Sequence, residues 1–109
     1  MIVINIARDF TETPGARYTN EGDYSGELFR ESILIPKYTE AISKREQLKI
    51  ELDGGYGYAT SFLEESFGGL ARKYDIQEVL NTLVFVSEDE PGLIDEITEY
   101  IKMARQERK

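Results

Sequence analysis

The sequence predicts a single small α/β domain over residues 1–109, with a mixed sheet and helices packed against it. Short apolar segments with strand character alternate with longer segments whose apolar residues recur at three- and four-residue spacing. Elements in this order favour a layered architecture of sheet and helices. The length of 109 residues and the 40% of apolar residues suit one compact domain with one core.

Three segments have the patterns of strands. Residues 2–6 form a β-branched apolar run, which is typical of a largely buried strand. In "QLKIELD", residues 47–53, apolar and charged residues alternate, which indicates a strand with one face in the core. The third strand is predicted for "TLVFV", residues 82–86, and the pattern leaves the state of residues 77–80 open.

The first helix is predicted for residues 25–45, where apolar residues recur with helical spacing. Pro36 lies inside this segment. Because proline has no amide hydrogen and clashes with the carbonyl four residues back, we expect the helix to kink or divide there. The preceding residues 11–26 have no helical or strand period and predict an ordered loop.

Two more helices follow the second strand. One, at residues 61–74, has an apolar stripe, and the closing helix begins near Pro91, a residue that fits the first helical position. Basic residues in the last turn complement the negative end of the helix dipole. The two stripes are Leu63, Phe67, Leu70, Ala71 and Tyr74, then Leu93, Ile94, Ile97, Ile101 and Ala104; the basic residues are Arg105, Arg108 and Lys109.

Composition limits the chemistry of the chain. Acidic residues outnumber basic residues by 21 to 13, and the formal net charge of −8 opposes binding to nucleic acid and to anionic membranes. The chain has no cysteine, which excludes thiolate chemistry, and no histidine, the commonest general base and metal ligand. We therefore expect a protein that is not an enzyme, with no catalytic residues, cofactor or metal site.

The sequence also bears on localisation. Its first residues lack the basic segment and long apolar run of a secretory signal. No apolar stretch approaches the ~20 residues that span a bilayer. We expect a cytoplasmic protein.

The loop "GARYTNEGDYSGELFRE" carries polar and aromatic residues into the first helix. Loops on a rigid scaffold often carry function, so these residues form a candidate secondary interaction surface. The simpler interpretation is structural: Ser25 or Asp23 caps the helix, Phe29 enters the core, and an arginine pairs with a carboxylate to hold the loop. The candidate residues are Arg17, Tyr24, Ser25, Glu27 and Arg30.

The stretch "LDGGYGYATSFLEESFGGL", residues 52–70, has the order of strand, glycine-rich turn and helix. It matches neither phosphate-binding glycine motif, and Asp53 and two glutamates would repel phosphate. The G-x-S-x-G motif is absent, and no histidine could activate Ser61 as a nucleophile. Ser61 and Glu64 have the spacing of a capping box, and Thr60 is the other candidate for the cap.

A second stripe lies opposite the apolar side of this helix. It consists of Ser61, Glu65, Gly68 and Arg72, at helical offsets 0, 4, 7 and 11. Glycine inside a helix costs about 1 kcal/mol relative to alanine, so Gly68 indicates close approach of another group. The stripe is therefore either a face open to a partner or a face packed tightly against a neighbour within the domain.

These residues resemble the STAS domain, named for sulfate transporters and anti-sigma-factor antagonists. The resemblance is carried by Asp53 at a strand end, the glycine-rich turn and Ser61 at a helix start. The closer match is the STAS-like domain of unknown function, whose pattern resembles "GARYTNEGDYSGELFRESILIP" and "LDGGYGYATSFLEESFGGL" in this chain.

The resemblance implies a small non-catalytic domain that works by docking to a protein. STAS antagonists bind a histidine-kinase-like ATPase, and phosphorylation of a serine at the helix start weakens that docking. By position, Ser61 is the nearest match to this serine and Thr60 the second, so both are candidate phosphosites of a bacterial-type signalling switch. In place of the Asp-Ser-Ser-Gly run of the antagonists, this chain reads "ATSF" at residues 59–62.

The leading hypothesis is a regulatory domain that docks a protein partner through the turn and the second helix. The alternative is a small-ligand or nucleotide sensor that uses the glycine-rich turn and the loop from Arg17 to Arg30. The sequence identifies neither the partner nor the oligomeric state. The residues predicted to bind the partner are Gly54, Gly55, Tyr56, Tyr58, Thr60, Ser61, Glu65, Gly68 and Arg72.

Overall fold

The computed structural model describes residues 1–105. The strands are β1 (Ile2–Asn5), β2 (Leu48–Glu51) and β3 (Leu83–Val86). The helices are α1 (Ile6–Asp9), α2 (residues 26–44), α3 (residues 60–73), α4 (Ile76–Thr82) and α5 (Gly92–Lys102), with a 3₁₀ turn at Thr19–Glu21. None of the helices in this part of the chain has the length and apolar character needed to cross a membrane.

The three strands form one sheet in the order β1, β2, β3. Both pairings are parallel, and in their register Ile50 lies between Ile4 and Phe85. The predicted α/β class is confirmed. The three strands all run in the same direction, whereas we expected a mixed sheet. Each connection between strands contains helices that return the chain to the same end of the sheet.

Helices cover one face of the sheet. Because neighbouring parallel strands are joined by right-handed crossovers, the strand order places both connections on the same side. The core lies between this face and the helices, where Ile4 and Ile50 are fully buried. Aromatic rings from α2 and α3 meet above them, with the ring centroids of Phe29 and Phe62 5.7 Å apart. This contact fixes the two long helices against each other.

The predicted interruption of the first helix is a π-helical turn. Helix α2 is α-helical at Gly26–Phe29, π-helical at Arg30–Leu34 and α-helical again at Ile35–Lys44. Pro36 lies just after the π turn, as the second residue of the last α-helical segment. Ser25 was one of two proposed caps, and its hydroxyl oxygen does accept the Leu28 amide at 3.0 Å.

Helix α3 is built in the same way. It is α-helical at Thr60–Leu63, π-helical at Glu64–Gly68 and α-helical at Gly69–Lys73. The predicted apolar stripe is confirmed, since its helical members are buried and Tyr74, just past the helix, packs against the core. Burial is continuous from Glu65 to Ala71, through the π turn and into the α-helical segment that follows it.

The last third of the chain differs from the prediction in detail. Residues 77–80, whose state was open, belong to α4, which also includes Thr82, a predicted strand residue. Helix α5 begins directly after Pro91, close to the predicted start. It ends at Lys102, so the predicted basic last turn is wrong for Arg105, which lies beyond the helix. Arg108 and Lys109 lie outside the described residues.

Candidate functional site

The glycine-rich turn leaves the carboxyl end of β2, and its first residue is anchored. The Asp53 carboxylate accepts the Glu88 amide at 2.8 and 3.0 Å and the Asp89 amide at 2.9 Å. The hydrogen bond from Glu88, followed by that from Asp89, holds the pKa of Asp53 below its usual value. The carboxylate therefore ties the end of β2 to the loop after β3.

The middle of the turn rests on the loop that follows α1. The Tyr56 amide donates to the Glu12 carbonyl at 2.9 Å, and a Cβ on Gly55 would lie only 3.0 Å from the same oxygen. Gly54 and Gly57 have φ angles of +99° and +124°, which residues with side chains rarely adopt. Backbone geometry therefore accounts for these glycines without any bound phosphate.

Tyr58 supports the end of the turn from below. Its hydroxyl donates to the Leu52 carbonyl at 2.7 Å, and its ring centroid lies 6.1 Å from that of Phe62. Burial, followed by the nearby charge of Asp53, raises the pKa of Tyr58 to about 12. The hydroxyl therefore keeps its proton at neutral pH and remains a hydrogen-bond donor.

Tyr56 projects from this anchored backbone into solvent. Tyr56 is 86% exposed, more than any other large hydrophobic residue in the described chain. Gly54, Gly55 and Thr60 are also exposed, and Ser61 is half-buried. We call residues 54–61 the tyrosine turn. It contains the first six residues of the predicted partner-binding set, of which Gly54, Gly55, Tyr56 and Thr60 are exposed, while Tyr58 packs against the core.

Ser61 does not cap α3, so the predicted capping box is wrong. The helix begins at Thr60 after an N-cap at Ala59, and no side chain makes a cap hydrogen bond. Glu64, which the capping box requires, is instead held by ion pairs with Arg17 and Arg72. Two guanidinium groups offer this carboxylate more hydrogen-bond donors than a single backbone amide does.

Three arginines and two glutamates join the loop, α2 and α3, and we call them the arginine–glutamate cluster. Arg30 Nη1 lies 2.5 Å from Glu65 Oε2 and donates to the Glu65 carbonyl at 2.8 Å. Arg17 pairs with Glu64 and, at 3.2 Å, with Glu65. Arg72 lies 2.7 Å from Glu64 and 3.6 Å from Glu65. The loop is thereby fastened to both long helices.

The prediction of an open face on α3 is wrong for Glu65 and Gly68. Glu65 is 7% exposed and Gly68 is buried. A Cβ on Gly68 would lie 2.6 Å from Glu64 Oε2, so the glycine makes room for the cluster. For these two residues the structure supports the other interpretation, close packing within the domain. Arg72 keeps 27% of its side chain exposed but is committed to the same ion pairs.

The loop predicted as a secondary surface is largely structural. Ser25 caps α2, and Arg17 and Arg30 belong to the arginine–glutamate cluster. Glu27 accepts a backbone amide from within the loop at 2.9 Å. Of the five predicted residues, Tyr24 retains the clearest accessible surface, with 47% of its side chain exposed.

A small cavity lies beneath the tyrosine turn. Its volume is about 150 Å³, and its lining includes Asp53, Ser87, Asp89 and Glu90. Pockets for small organic ligands usually exceed ~300 Å³, and the acidic lining opposes the binding of phosphate groups. A second, more open cavity of about 310 Å³ lies on the other side of Asp53 and Gly54, where Arg8 and Glu12 line it. Within residues 1–105, no three histidine, cysteine or carboxylate side chains are grouped so that they could hold a metal ion.

The sequence pattern does not indicate several of the residues that hold the turn in place. Glu12, Glu88 and Asp89 hold the turn through backbone groups, so their side-chain identities do not reveal the contact. The pairing of Arg17 or Arg30 with a carboxylate was expected, and both arginines do pair. Arg30 also pairs with its neighbour Glu31. The shared partners Glu64 and Glu65 lie on α3, far along the chain, where no local pattern identifies them.

Residues 25–93, more than half of the chain, match the family described as STAS-like domain of unknown function (DUF4325). The matched segment runs from the cap of α2 through the tyrosine turn and α3 to the start of α5. No curated protein and no solved structure matches the chain. The resemblance indicated by the sequence is therefore confirmed, and the chain belongs to the family of STAS-like domains of unknown function.

Proposed function

We propose that the protein is a non-catalytic regulatory domain of the cytoplasm that docks a protein partner through the tyrosine turn. One observation supports this most strongly: Tyr56 is 86% exposed, although the backbone that carries it is anchored on both sides. Aromatic side chains supply much of the binding energy at protein interfaces. A backbone that is fixed before binding also lowers the entropic cost of association.

The proposed partner is a histidine-kinase-like ATPase, by analogy with STAS antagonists. The chain has a formal net charge of −8, and Asp89 and Glu90 lie exposed beside the tyrosine turn. A basic docking surface on the partner would complement these charges and speed association. The proposed contact surface is narrower than the predicted one, because Glu65 and Gly68 are buried in the domain.

Phosphorylation at the start of α3 would regulate this docking. Thr60 is exposed and Ser61 is half-buried, so accessibility favours Thr60 as the phosphosite. A phosphate there adds nearly two negative charges close to Tyr56. Thr60→Glu should therefore weaken docking more than Thr60→Gln, which has nearly the same shape without the charge.

Site-specific photo-crosslinking tests the docking surface. A photoreactive phenylalanine analogue replaces Tyr56 in one variant and Tyr18, which is 47% exposed in the α1–α2 loop, in the control. We expect one dominant protein adduct from position 56 that position 18 does not give. With the adduct partner purified, Tyr56→Ala should weaken binding at least tenfold, or about 1.4 kcal/mol. Identical adducts from both positions, or unchanged affinity of Tyr56→Ala, would contradict the proposal.

The alternative of a small-ligand or nucleotide sensor has less support. Arg17 and Arg30, the basic residues of that hypothesis, are already paired with carboxylates, and the cavity lined by Asp53, Asp89 and Glu90 is acidic. Thermal unfolding in the presence of a nucleotide panel separates the two functions. A ligand at a hundred times its dissociation constant should stabilise the fold by about 2.7 kcal/mol. The docking proposal predicts no such shift.

A further inference from the structure

The sheet has a second face, on the side away from the crossover helices. Side chains alternate between the two faces of a strand, so the residues between the buried core positions point to this outer face. Parallel sheets are almost always covered on both faces, which makes an accessible outer face unusual. The outer face consists of Val3 and Asn5 from β1, Lys49 and Glu51 from β2, and Val84 and Val86 from β3.

Side-chain contacts confirm that Asn5, Lys49 and Glu51 share one face. Asn5 Nδ2 lies 3.4 Å from Glu51 Oε1, and Lys49 Nζ lies 3.8 Å from Glu51 Oε2. The face is accessible: Val3 is 38% exposed, and the Lys49 and Glu51 side chains are 35% and 31% exposed. Val84 and Val86 are half-buried. Apolar residues on the outer strands thus flank a central pair of opposite charges.

The charge pattern of the outer face is complementary to itself. Lys49 and Glu51 are two residues apart, or roughly 7 Å along the strand. A second copy, rotated about a two-fold axis that runs across the strands, brings its Glu51 over Lys49 and its Lys49 over Glu51. A two-fold axis along the strands would instead stack Lys49 on Lys49. The charges therefore select the arrangement in which the strands of the two copies are antiparallel.

The same two-fold axis matches the apolar residues of β3. With its centre above Ile50, the rotation places Val84 of one copy over Val86 of the other, twice in the interface. On the β1 side, Val3 meets Asn5 of the second copy. Lys49 and Glu51 would fix the orientation, and the valines would contribute apolar burial.

We propose that two copies of the chain associate through their outer faces, with antiparallel strands. The interaction is weak, because three strands of four residues cover only about 200 Å², against about 800 Å² per partner in a stable complex. The net charge of −8 on each copy also opposes association at low ionic strength. Self-association should therefore be measured at about 0.15 M salt, where the Debye length is about 8 Å.

Charge reversal tests the arrangement by sedimentation equilibrium from low micromolar to millimolar concentration. Lys49→Glu places two carboxylates opposite each other, so it should weaken self-association at least tenfold, and Glu51→Lys should do the same. The double variant exchanges both signs and should restore association. An equimolar mixture of the two single variants should form heterodimers, because every opposed pair is then of opposite charge. A monomeric wild type, or a double variant as weak as the single ones, would overturn the proposal.

Crosslinking provides a second test that does not depend on charge. The chain has no cysteine, so Val84→Cys and Val86→Cys each introduce one thiol. The two variants are mixed and treated with a short bismaleimide. Crosslinks between positions 84 and 86 should then be in several-fold excess over crosslinks between two copies of position 84 or two copies of position 86. A random distribution of the three products would exclude the antiparallel arrangement, even if the chain does form dimers.

Discussion

Arg30 and Glu65 form an ion pair of 2.5 Å in which each side chain is less than a tenth exposed. Both residues lie in π-helical turns, at Arg30–Leu34 in α2 and Glu64–Gly68 in α3. Arg30 also binds the backbone carbonyl of Glu65, so one guanidinium holds both the side chain and the main chain of the facing turn. The pair therefore connects the two irregular turns that shape the interior of the domain.

Removing the buried carboxylate should be costly. Glu65→Ala removes the buried carboxylate that pairs with Arg30 and leaves that guanidinium with the Glu65 carbonyl and the more exposed Glu31 carboxylate. Loss of a buried ion-pair partner typically destabilises a fold by up to about 3–5 kcal/mol. Glu64→Ala is the matched control, because its carboxylate belongs to the same cluster but is 26% exposed. Its loss should be smaller, since solvent screens partly exposed ion pairs. Urea unfolding followed by circular dichroism compares the two, and equal losses would contradict the assigned role of Glu65.

Gly26, the first residue of α2, should tolerate no side chain. A Cβ there would lie 2.6 Å from the Phe62 carbonyl oxygen, a backbone atom that cannot rotate away. Gly26→Ala should destabilise the fold by about 1–3 kcal/mol through overpacking. Gly92, the first residue of α5, has the same helical position, and a Cβ there meets no atom of residues 1–105 within 4 Å.

Gly92→Ala should therefore be neutral or stabilise the fold by up to about 1 kcal/mol. Thermal unfolding of the two variants under identical conditions separates steric overlap from helix propensity. If both substitutions change the melting temperature in the same direction and by the same amount, the close contact at Gly26 does not limit the sequence there.

Asp53 should make the tyrosine turn sensitive to acid. Its pKa is lower in the folded than in the unfolded chain. The stabilisation is therefore complete above the unfolded pKa of about 4 and is lost as the pH falls through the lower folded pKa. Asp53→Asn should abolish this dependence and reduce the hydrogen-exchange protection of the Glu88 and Asp89 amides. Nuclear magnetic resonance measures both the acid dependence and the exchange protection of these amides. Unchanged protection in the variant would contradict the role of Asp53 as an anchor of the turn.

Tyr58 should stabilise the turn through its hydroxyl group. Tyr58→Phe keeps the ring against Phe62 but removes the donor to the Leu52 carbonyl, at a cost of about 1 kcal/mol. Tyr24→Phe changes a tyrosine that is 47% exposed and should have little effect on the free energy of unfolding. Chemical denaturation gives both values. A Tyr58→Phe variant as stable as Tyr24→Phe would show that the hydroxyl contributes nothing to the fold.

Local patterns in the sequence were sufficient for most secondary-structure elements. The alternation in residues 47–53 and the helical spacing in α3 and α5 each follow from one buried face, so they predict type and approximate extent. The π turns were not predictable in this way, because they depend on contacts between α2 and α3. A regular helical period places Gly68 opposite the apolar stripe, whereas the structure buries Gly68 together with residues 65–71.

The sequence predicts only part of the candidate site, because some of its contacts join residues that are far apart in the chain. The glycines between Asp53 and Tyr58 have a backbone cause, so the turn is visible in the sequence. Ser61 and Glu64 had the correct spacing for a capping box, but Arg17, which lies 47 residues before Glu64, takes the carboxylate. A local motif fails where a distant charge competes for the same group.

The paired π turns constrain how the length of this chain can change. An α-helix turns by about 100° per residue, so deleting one residue from either π turn alone would rotate part of that helix relative to the other. Arg30 and Glu65 would then no longer face each other. We therefore expect insertions and deletions in the two π turns to occur together. Relatives that lack one π turn should also lack the other, or should have apolar residues at the positions of Arg30 and Glu65.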